Sequence, residues 1–166
     1  REPFLFTRSI SFAIGMNEYK EAVNGYDYSD HLLTYGLKLT GPDVLLTGPL
    51  MDVNIVAHYG APIYYNGLSS IKPSGFILWT DANFLLPIVA RDHALVGVGA
   101  GSLLVISNIQ TTQVDRTNST WQFNLGVNLE VTAGFRWDDL CLRVDAKYLF
   151  ENKTYGHVQL SAGTIF

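Results

Sequence analysis

The sequence predicts an all-β fold: a closed antiparallel up-and-down transmembrane β-barrel of about eight strands that forms one domain over residues 1–166. Apolar and polar residues alternate with a period of two along most of the chain, which is typical of strands with two different faces. The chain is 48 % hydrophobic and only 16 % charged, yet no run approaches the roughly 18 apolar residues that a transmembrane helix needs. Alternation dilutes the hydrophobicity of each strand of a membrane barrel in this way.

The second half of the chain carries the clearest alternation. Between Trp121 and Phe135 every odd-numbered residue is apolar and every even-numbered residue is polar or glycine. A tight turn at residues 137–139 and a second alternating strand follow. The first half alternates less regularly. The predicted strands are residues 4–16, 31–40, 50–59, 75–86, 93–108, 120–136, 140–151 and 157–166.

The predicted connections alternate in length, as they do in outer-membrane barrels with long external loops and short periplasmic turns. The long polar segments are residues 17–30, 60–74 and 109–119, and the short ones are 87–92 and 136–139. Two connections fit this scheme poorly. The connection over residues 41–49 is long for a periplasmic turn, and the connection over residues 152–154 is short for an external loop.

Three features indicate that the apolar face meets lipid, although a soluble sandwich or lipocalin-like barrel alternates too, with its apolar face inward. Glycines share the charged face, which suits a narrow lumen and weakens a solvated strand. Aromatic residues gather near the strand ends, as in two interfacial girdles. The 14 residue-to-residue steps from Trp121 to Phe135 cover ~35 Å at ~3.3 Å per step and a tilt near ~40°. The chain also ends on a strand that closes on Phe166. The aromatic residues in question are Phe4, Phe6, Tyr35, Tyr59, Phe76, Phe84, Trp121, Phe135, Tyr148 and Phe150.

Three stretches resemble the small OmpA-like and OmpW-like outer-membrane barrels of bacteria. The ending HVQLSAGTIF, residues 157–166, looks like their C-terminal signature. The run LVGVGAG at 95–101 resembles their glycine-rich fifth strand, and FRWDD at 135–139 followed by RVDAKY at 143–148 is similar to their last hairpin. The resemblance implies a Gram-negative cell outer membrane as the location and recognition of Phe166 by the barrel assembly machinery.

Composition argues against several classes of function. A net charge of −4 and the lack of a basic run argue against nucleic acid as a partner. The single cysteine, Cys141, excludes an internal disulfide and a cysteine-based metal site. No spacing of histidines and carboxylates indicates a metal, and we expect no cofactor. The start at Arg1 without an apolar region suggests a mature protein whose targeting segment has been removed.

Five charged residues are expected inside the barrel: Asp52, Glu130, Arg143, Asp145 and Lys147. A turn at residues 137–138 would place Glu130 near Asp145 and diagonal to Arg143 and Lys147. Charges in a narrow lumen must pair, because their desolvation is costly otherwise. The first interpretation is a structural network that plugs the barrel, and the second is a gated polar path for small solutes.

The inward side of the fourth and fifth strands is apolar for a lumen. One interpretation is plain packing against the charged network, and the other is a pocket for small apolar ligands like the one proposed for OmpW-like barrels. The residues concerned are Trp79, Leu85, Leu95, Leu103 and Val105.

One group of residues resembles a catalytic set. His31 stands beside Ser29 and Asp30 at the expected outer end of the second strand, where outer-membrane lipid hydrolases and acyltransferases place a serine and a histidine. Catalysis needs the serine activated by the histidine and the histidine oriented by an acid. Adjacent residues rarely reach that geometry, so we expect solvated loop residues.

Three functions remain open at this stage. The favoured one is a non-enzymatic, porin-like surface protein that anchors in the envelope and exposes its loops for structural, adhesive or host-interaction roles. The second is an OmpW-like channel for small hydrophobic molecules. The third is an outer-leaflet lipid A-modifying acyl hydrolase or acyltransferase. The expected partners are outer-membrane lipids, lipopolysaccharide, the assembly machinery and extracellular ligands that contact the surface-exposed loops.

Overall fold

Eight antiparallel strands form a closed ring in the computed structural model, which describes residues 8–166. Each strand pairs with the next along the chain, and β8 pairs with β1. A 3-10 helix, Ile63–Leu68, lies between β3 and β4. Among the described residues no helix is long and apolar enough to cross a membrane. The strands are β1 Ser9–Val23, β2 Tyr26–Pro42, β3 Leu50–Tyr59, β4 Ser74–Ala90, β5 Ala94–Gln113, β6 Arg116–Trp137, β7 Leu140–Phe150 and β8 Thr154–Ile165.

The structure confirms the all-β barrel and corrects two of the three predicted external loops. Residues 17–30 and 109–119 are continuous β-hairpins rather than loops. Their tips are two-residue turns with positive φ, at Asn24 (52°) and Gly25 (83°) and at Val114 (45°) and Asp115 (62°). Such turns match the twist of paired strands. These segments lack a clear apolar–polar alternation because they extend beyond the apolar belt, where polar residues are tolerated on both faces.

The other connections agree better with the sequence. The segment between β3 and β4 is a true loop that carries the 3-10 helix, and the β2–β3 connection is the long one over residues 43–49. The predicted first strand began at residue 4. Residues 4–7, and with them Phe4 and Phe6, lie outside the described part of the chain, and β1 is described from Ser9.

The apolar face points outward and the polar face inward, as predicted. Leu129 is 54 % exposed and Leu125 is 82 % exposed on the outside of β6, whereas Asn128 and Glu130 are 1 % and 2 % exposed inside the ring. A soluble barrel has the opposite arrangement, because water drives its apolar face inward. The exposed apolar belt is therefore the surface that lipid covers.

Aromatic pairs mark the edge of the apolar belt nearest the β1–β2 and β5–β6 hairpin tips. Tyr35 stacks near Tyr59 with ring centroids 5.5 Å apart, and Phe76 meets Trp121 at 5.8 Å. Beyond this rim the outward residues become polar, as in the ion pair between Lys20 and Glu18. The two hairpins thus protrude from the membrane on this side, which we call the extracellular end.

Glycine on the inner face of β5 allows the lumen to be filled from β4. A Cβ on Gly101 would overlap the carbonyl oxygen of Ala82 and lie 2.6 Å from Asn83 Oδ1, and one on Gly99 would lie 3.0 Å from Leu85 Cδ2. Larger residues at these positions would displace the neighbouring strand or its side chains. The glycine-rich run of the fifth strand is thus a requirement of close packing.

Candidate functional site

The hairpin register of β6 and β7 decides which charges meet. Trp137 pairs with Leu140, so the turn lies at residues 138–139 and Glu130 stands opposite Lys147. The predicted pairing of Glu130 with Asp145 is wrong by two residues, because the turn was expected one position earlier. Asp138 adopts a φ of 51°, as a tight two-residue hairpin turn requires. Asp145 instead faces Thr132 and accepts a hydrogen bond from its hydroxyl at 2.6 Å.

Lys38 lies at the centre of a buried charge network. Its Nζ atom is 2.6 Å from Asp145 Oδ2, 3.0 Å from Asp52 Oδ2 and 3.0 Å from Glu130 Oε1. Carboxylate oxygens of these three acids lie within 4.8 Å of one another, a spacing that would also suit a metal ion. The ammonium group of Lys38 supplies the positive charge that such a cluster needs.

Arg143 binds the same acidic cluster from the other side. Its guanidinium donates to both oxygens of Asp52, at 2.9 and 2.7 Å, in the bidentate geometry that makes such pairs strong. It also lies 3.3 Å from Asp145 Oδ1 and 3.5 Å from Glu130 Oε1. Thr40 accepts a further hydrogen bond from Arg143 at 2.7 Å and donates to Asp52.

Lys147 pairs with Asp81 rather than with Glu130. Its Nζ atom lies 2.7 and 2.9 Å from the two oxygens of Asp81. Asn83 joins this pair to the main cluster, because its amide donates to Asp81 at 3.1 Å and to Glu130 at 2.7 Å. Gln159 extends the network to β8 through a 3.1 Å hydrogen bond to Asp145.

The structure thus brings all five predicted lumen charges together and adds two that the sequence analysis missed. Lys38 has inward parity on a strand whose outward residues include Leu37 and Leu39, and this parity was the available signal. Asp81 stood on the predicted polar face, but pairing across a lumen depends on the whole ring and not on adjacent strands. The seven charged residues are Lys38, Asp52, Asp81, Glu130, Arg143, Asp145 and Lys147, all at most 4 % exposed.

The five apolar lumen residues do not surround one common space. Trp79, Leu103 and Val105 belong to a buried cluster with Tyr19 and Tyr155 on the extracellular side of the charges. In a second cluster, Leu85 and Leu95 pack with Cys141 near the β4–β5 and β6–β7 turns. The charge network lies between them.

Aromatic residues and one acid, Glu21, close the extracellular side of the first cluster. Tyr19 meets Trp79 edge to face at 5.7 Å, and Trp79 Nε1 donates to the Tyr155 hydroxyl at 3.0 Å. Above them, the Tyr19 and Tyr64 hydroxyls donate to Glu21 at 3.2 and 2.7 Å. Burial and the hydrogen bond to Glu21 raise the pKa of the Tyr64 hydroxyl above its usual range. Tyr64 therefore remains a neutral donor that holds the 3-10 helix over the barrel mouth.

Ser29, Asp30 and His31 do not form a catalytic arrangement. They are consecutive residues of β2, so Asp30 points to the opposite face from the other two. The Asp30 carboxylate accepts a hydrogen bond from the backbone nitrogen of Ile63 at 2.8 Å. Asp30 thus fixes the start of the 3-10 helix instead of orienting His31.

A closed eight-stranded ring with an apolar exterior, a charged interior and aromatic rims defines a transmembrane β-barrel of the small outer-membrane class. The solved structures that the chain resembles confirm the predicted barrel fold.

Three solved structures illustrate this likeness. Ail, the attachment invasion locus protein of Yersinia pestis, in complex with the heparin analogue sucrose octasulfate, matches with a TM-score of 0.65 and 10 % identity over 100 % of both chains. The N-terminal β-barrel domain of Pseudomonas aeruginosa OprF has a TM-score of 0.54 and 13 % identity over 95 % of this chain and 97 % of that one. Neisserial surface protein A has a TM-score of 0.52 and 12 % identity over 100 % of both. No protein-family model and no curated protein matches the sequence.

Proposed function

We propose that this protein is a non-enzymatic outer-membrane barrel whose lumen is closed and whose protruding strands bind extracellular ligands. The observation that carries the proposal is the cross-lumen network centred on Lys38. Its seven charged residues come from five of the eight strands. They are Lys38 from β2, Asp52 from β3, Asp81 from β4, Glu130 from β6, and Arg143, Asp145 and Lys147 from β7. Buried opposite charges hold each other in place, and few waters fit inside eight strands.

The layers on either side of the charges also support a closed lumen. The Trp79 cluster covers their extracellular side and the Leu85 cluster their opposite side. A hydrophobic molecule entering from the mouth would have to displace Tyr19 and Tyr155, which pack edge to face at 5.5 Å. These contacts favour the plug over the OmpW-like channel. The separation of Asp30 from Ser29 and His31 likewise argues against the acyl hydrolase or acyltransferase.

The extracellular end has the features of a fixed binding surface. The loop between β3 and β4 is tied to the β5–β6 hairpin, since Ser70 N donates to the Thr112 carbonyl at 2.6 Å and Gln113 Nε2 donates to the Leu68 carbonyl at 2.9 Å. A surface that is already ordered loses little entropy on binding. The complex of Ail with a heparin analogue supports ligand binding at this end by analogy of fold alone.

Three further partners belong to the same proposal. The exposed apolar belt contacts outer-membrane lipids, and the polar rim above it contacts lipopolysaccharide. The final residue, Phe166, is 71 % exposed and its backbone nitrogen bonds to the Arg8 carbonyl at 3.0 Å. Its exposed side chain lies at the β8–β1 seam, and recognition of Phe166 by the assembly machinery remains a prediction.

Cysteine labelling on intact cells tests the orientation. The native Cys141 is 1 % exposed, so a membrane-impermeant maleimide should leave the unmodified protein unlabelled. Asp115→Cys, at the tip of the β5–β6 hairpin, should be labelled on whole cells. The matched control, Asp92→Cys in the β4–β5 turn, should react only after the outer membrane is opened. Labelling in the reverse order would overturn the proposal.

Conductance tests the closed lumen. Purified protein in planar bilayers should give no steady ion current, and liposomes that contain it should not swell in isotonic arabinose. Lys38→Ala removes the central cation and should introduce current fluctuations. Stable single-channel openings of the unmodified protein would favour the open conduit instead.

A further inference from the structure

A cleft of about 650 Å³ opens at the extracellular end of the barrel. One wall is the β5–β6 hairpin, from Ser107 to Gln122. The other wall is the tip of β1 at Val23 and Asn24 together with the 3-10 helix at Tyr65 and Leu68. Its volume lies within the range of roughly 300–1,000 Å³ that is usual for small-molecule sites.

The lining of this cleft carries no charged side chain. Nine of its 14 residues have aliphatic hydroxyl or amide side chains, namely Asn24, Ser107, Thr111, Gln113, Thr117, Asn118, Ser119, Thr120 and Gln122. Each of these groups can both donate and accept hydrogen bonds. The remaining residues, including Tyr65 and Ile109, offer apolar surface.

Much of this hydrogen-bonding capacity is unused within the protein. Among residues 8–166, no side-chain hydrogen bond involves Thr111, Asn118, Thr120 or Gln122, whereas Gln113 and Ser119 are engaged. Ser107 forms the floor of the cleft and is only 4 % exposed, yet its hydroxyl has no partner in the described part of the chain. This hydroxyl lines the open cleft, so it can both donate a hydrogen bond to a polar ligand there and accept one from it.

We propose that the cleft binds a neutral, polyhydroxylated ligand, namely the sugar units of an uncharged glycan. Sugar hydroxyls donate and accept at short intervals, which matches the amide and hydroxyl groups of Asn118, Thr120 and Gln122 on the inward face of β6. The C–H faces of a sugar ring pack on Tyr65 and Ile109. A sulfated or phosphorylated ligand would need the lysine or arginine donors that such groups prefer, and the lining has neither. The inference rests on the proposed function, because that orientation places the cleft outside the cell.

Glycan binding by the full chain in a sugar-free detergent tests this assignment, since maltoside detergents would compete. An array of neutral, sialylated and sulfated oligosaccharides identifies the preferred class, and the best neutral oligosaccharide is then titrated by calorimetry. We expect binding by neutral glycans alone, with a Kd that changes by less than about twofold between 50 and 500 mM NaCl, because no ion pairs form.

Variants assign the binding to the cleft. Thr120→Val combined with Gln122→Ala should weaken binding about tenfold by removing unpaired polar groups, and Ser107→Val should do so by filling the floor. Arg116→Ala, a charge at the hairpin tip outside the lining, should change the Kd by less than about twofold. A heat-modifiable band on gels shows that each variant is folded.

Three results would overturn the proposal: retention of sulfated or sialylated glycans alone, no retention of any neutral glycan, or neutral binding that the cleft variants do not change. The failure of the proposed function is distinguishable from these. Cysteine labelling that placed Asp115 in the periplasm would contradict the orientation, while glycan binding in detergent would still report on the cleft.

Discussion

Lys38 Nζ and Asp145 Oδ2 lie 2.6 Å apart inside the barrel, although 107 positions separate the two residues in the chain. The lysine comes from β2 and the aspartate from β7, and these strands are not neighbours in the ring. The pair therefore crosses the lumen. This contact is central to the stability of the barrel, because three carboxylates share the same ammonium group.

Removal of that ammonium group should be strongly destabilising. Lys38→Met leaves Asp52, Glu130 and Asp145 within 4.8 Å of one another with Arg143 as the nearest remaining cation. Loss of one partner from a buried charge cluster typically costs about 3–5 kcal/mol. The free energy of unfolding, measured by urea titration in phospholipid vesicles with tryptophan fluorescence, should fall by that amount.

A matched control uses a lysine outside the membrane. Lys20 lies 3.4 Å from Glu18, and its side chain is 39 % exposed. Lys20→Met should change the free energy of unfolding by about 0–1 kcal/mol, since solvent screens such pairs. Equal losses for the two variants would contradict a special role for Lys38.

The lipid-facing belt predicts that the destabilisation caused by an outward-facing arginine depends on its depth in the membrane. Leu129 is 54 % exposed on the outer face of β6, near the middle of the run from Trp121 to Phe135. Leu129→Arg should lower the free energy of unfolding in vesicles by about 2–4 kcal/mol. Gln110→Arg, on the outer face of β5 beyond the aromatic rim, should cost about 0–1 kcal/mol. The reverse ranking would mean that the apolar face is not the lipid-facing one.

Close packing around Gly101 predicts that a larger residue at this position destabilises the barrel. A methyl group there would overlap the Ala82 carbonyl and approach Asn83 Oδ1, so β4 and β5 would have to separate. Gly101→Ala should destabilise the barrel by about 1–3 kcal/mol, as overpacking usually does. Ser102→Ala, on the outward face of the same strand, is the control and should be nearly neutral in the same urea titration.

The sequence predicts the barrel well because lipid imposes a strict alternation on every spanning strand. Trp121 to Phe135 follows that rule without an exception, and its inside and outside are assigned correctly. The rule stops at the aromatic rim. The sequence therefore predicts loops at residues 17–30 and 109–119, although they continue as paired strands.

The lumen network is only partly predictable for a different reason. Parity indicates that Glu130 and Arg143 point inward, but the shear and closure of the ring determine which inward residues meet. Lys38 reaches Glu130 across 92 positions, and no feature of the strand around Lys38 points to β6. Register adds a second difficulty. A displacement of the turn by one position changes the residue opposite Glu130 in the hairpin from Asp145 to Lys147.

Double-mutant cycles on Glu130 measure these pairings directly. Glu130 Oε1 lies 3.0 Å from Lys38 Nζ and 3.5 Å from Arg143. Asn83 also donates to the other oxygen at 2.7 Å. The cycle of Glu130→Gln with Lys38→Met should give a coupling free energy of about 1–3 kcal/mol, within the range for residues in contact. The cycle with Arg143→Met should give a smaller coupling free energy, because that guanidinium lies 2.7 Å from Asp52 and 3.5 Å from Glu130.

A charge exchange then separates a specific pair from a general need for neutrality. Glu130→Lys with Lys38→Glu keeps the total charge but moves the new carboxylate next to Asp52 and Asp145. We expect it to recover only part of the stability lost by Glu130→Lys alone, since like charges then face each other. Full recovery would show that only net charge matters inside the barrel. A coupling free energy near zero in both cycles would show that Glu130 is paired with neither cation, and the plug would have to be replaced by an open, hydrated lumen.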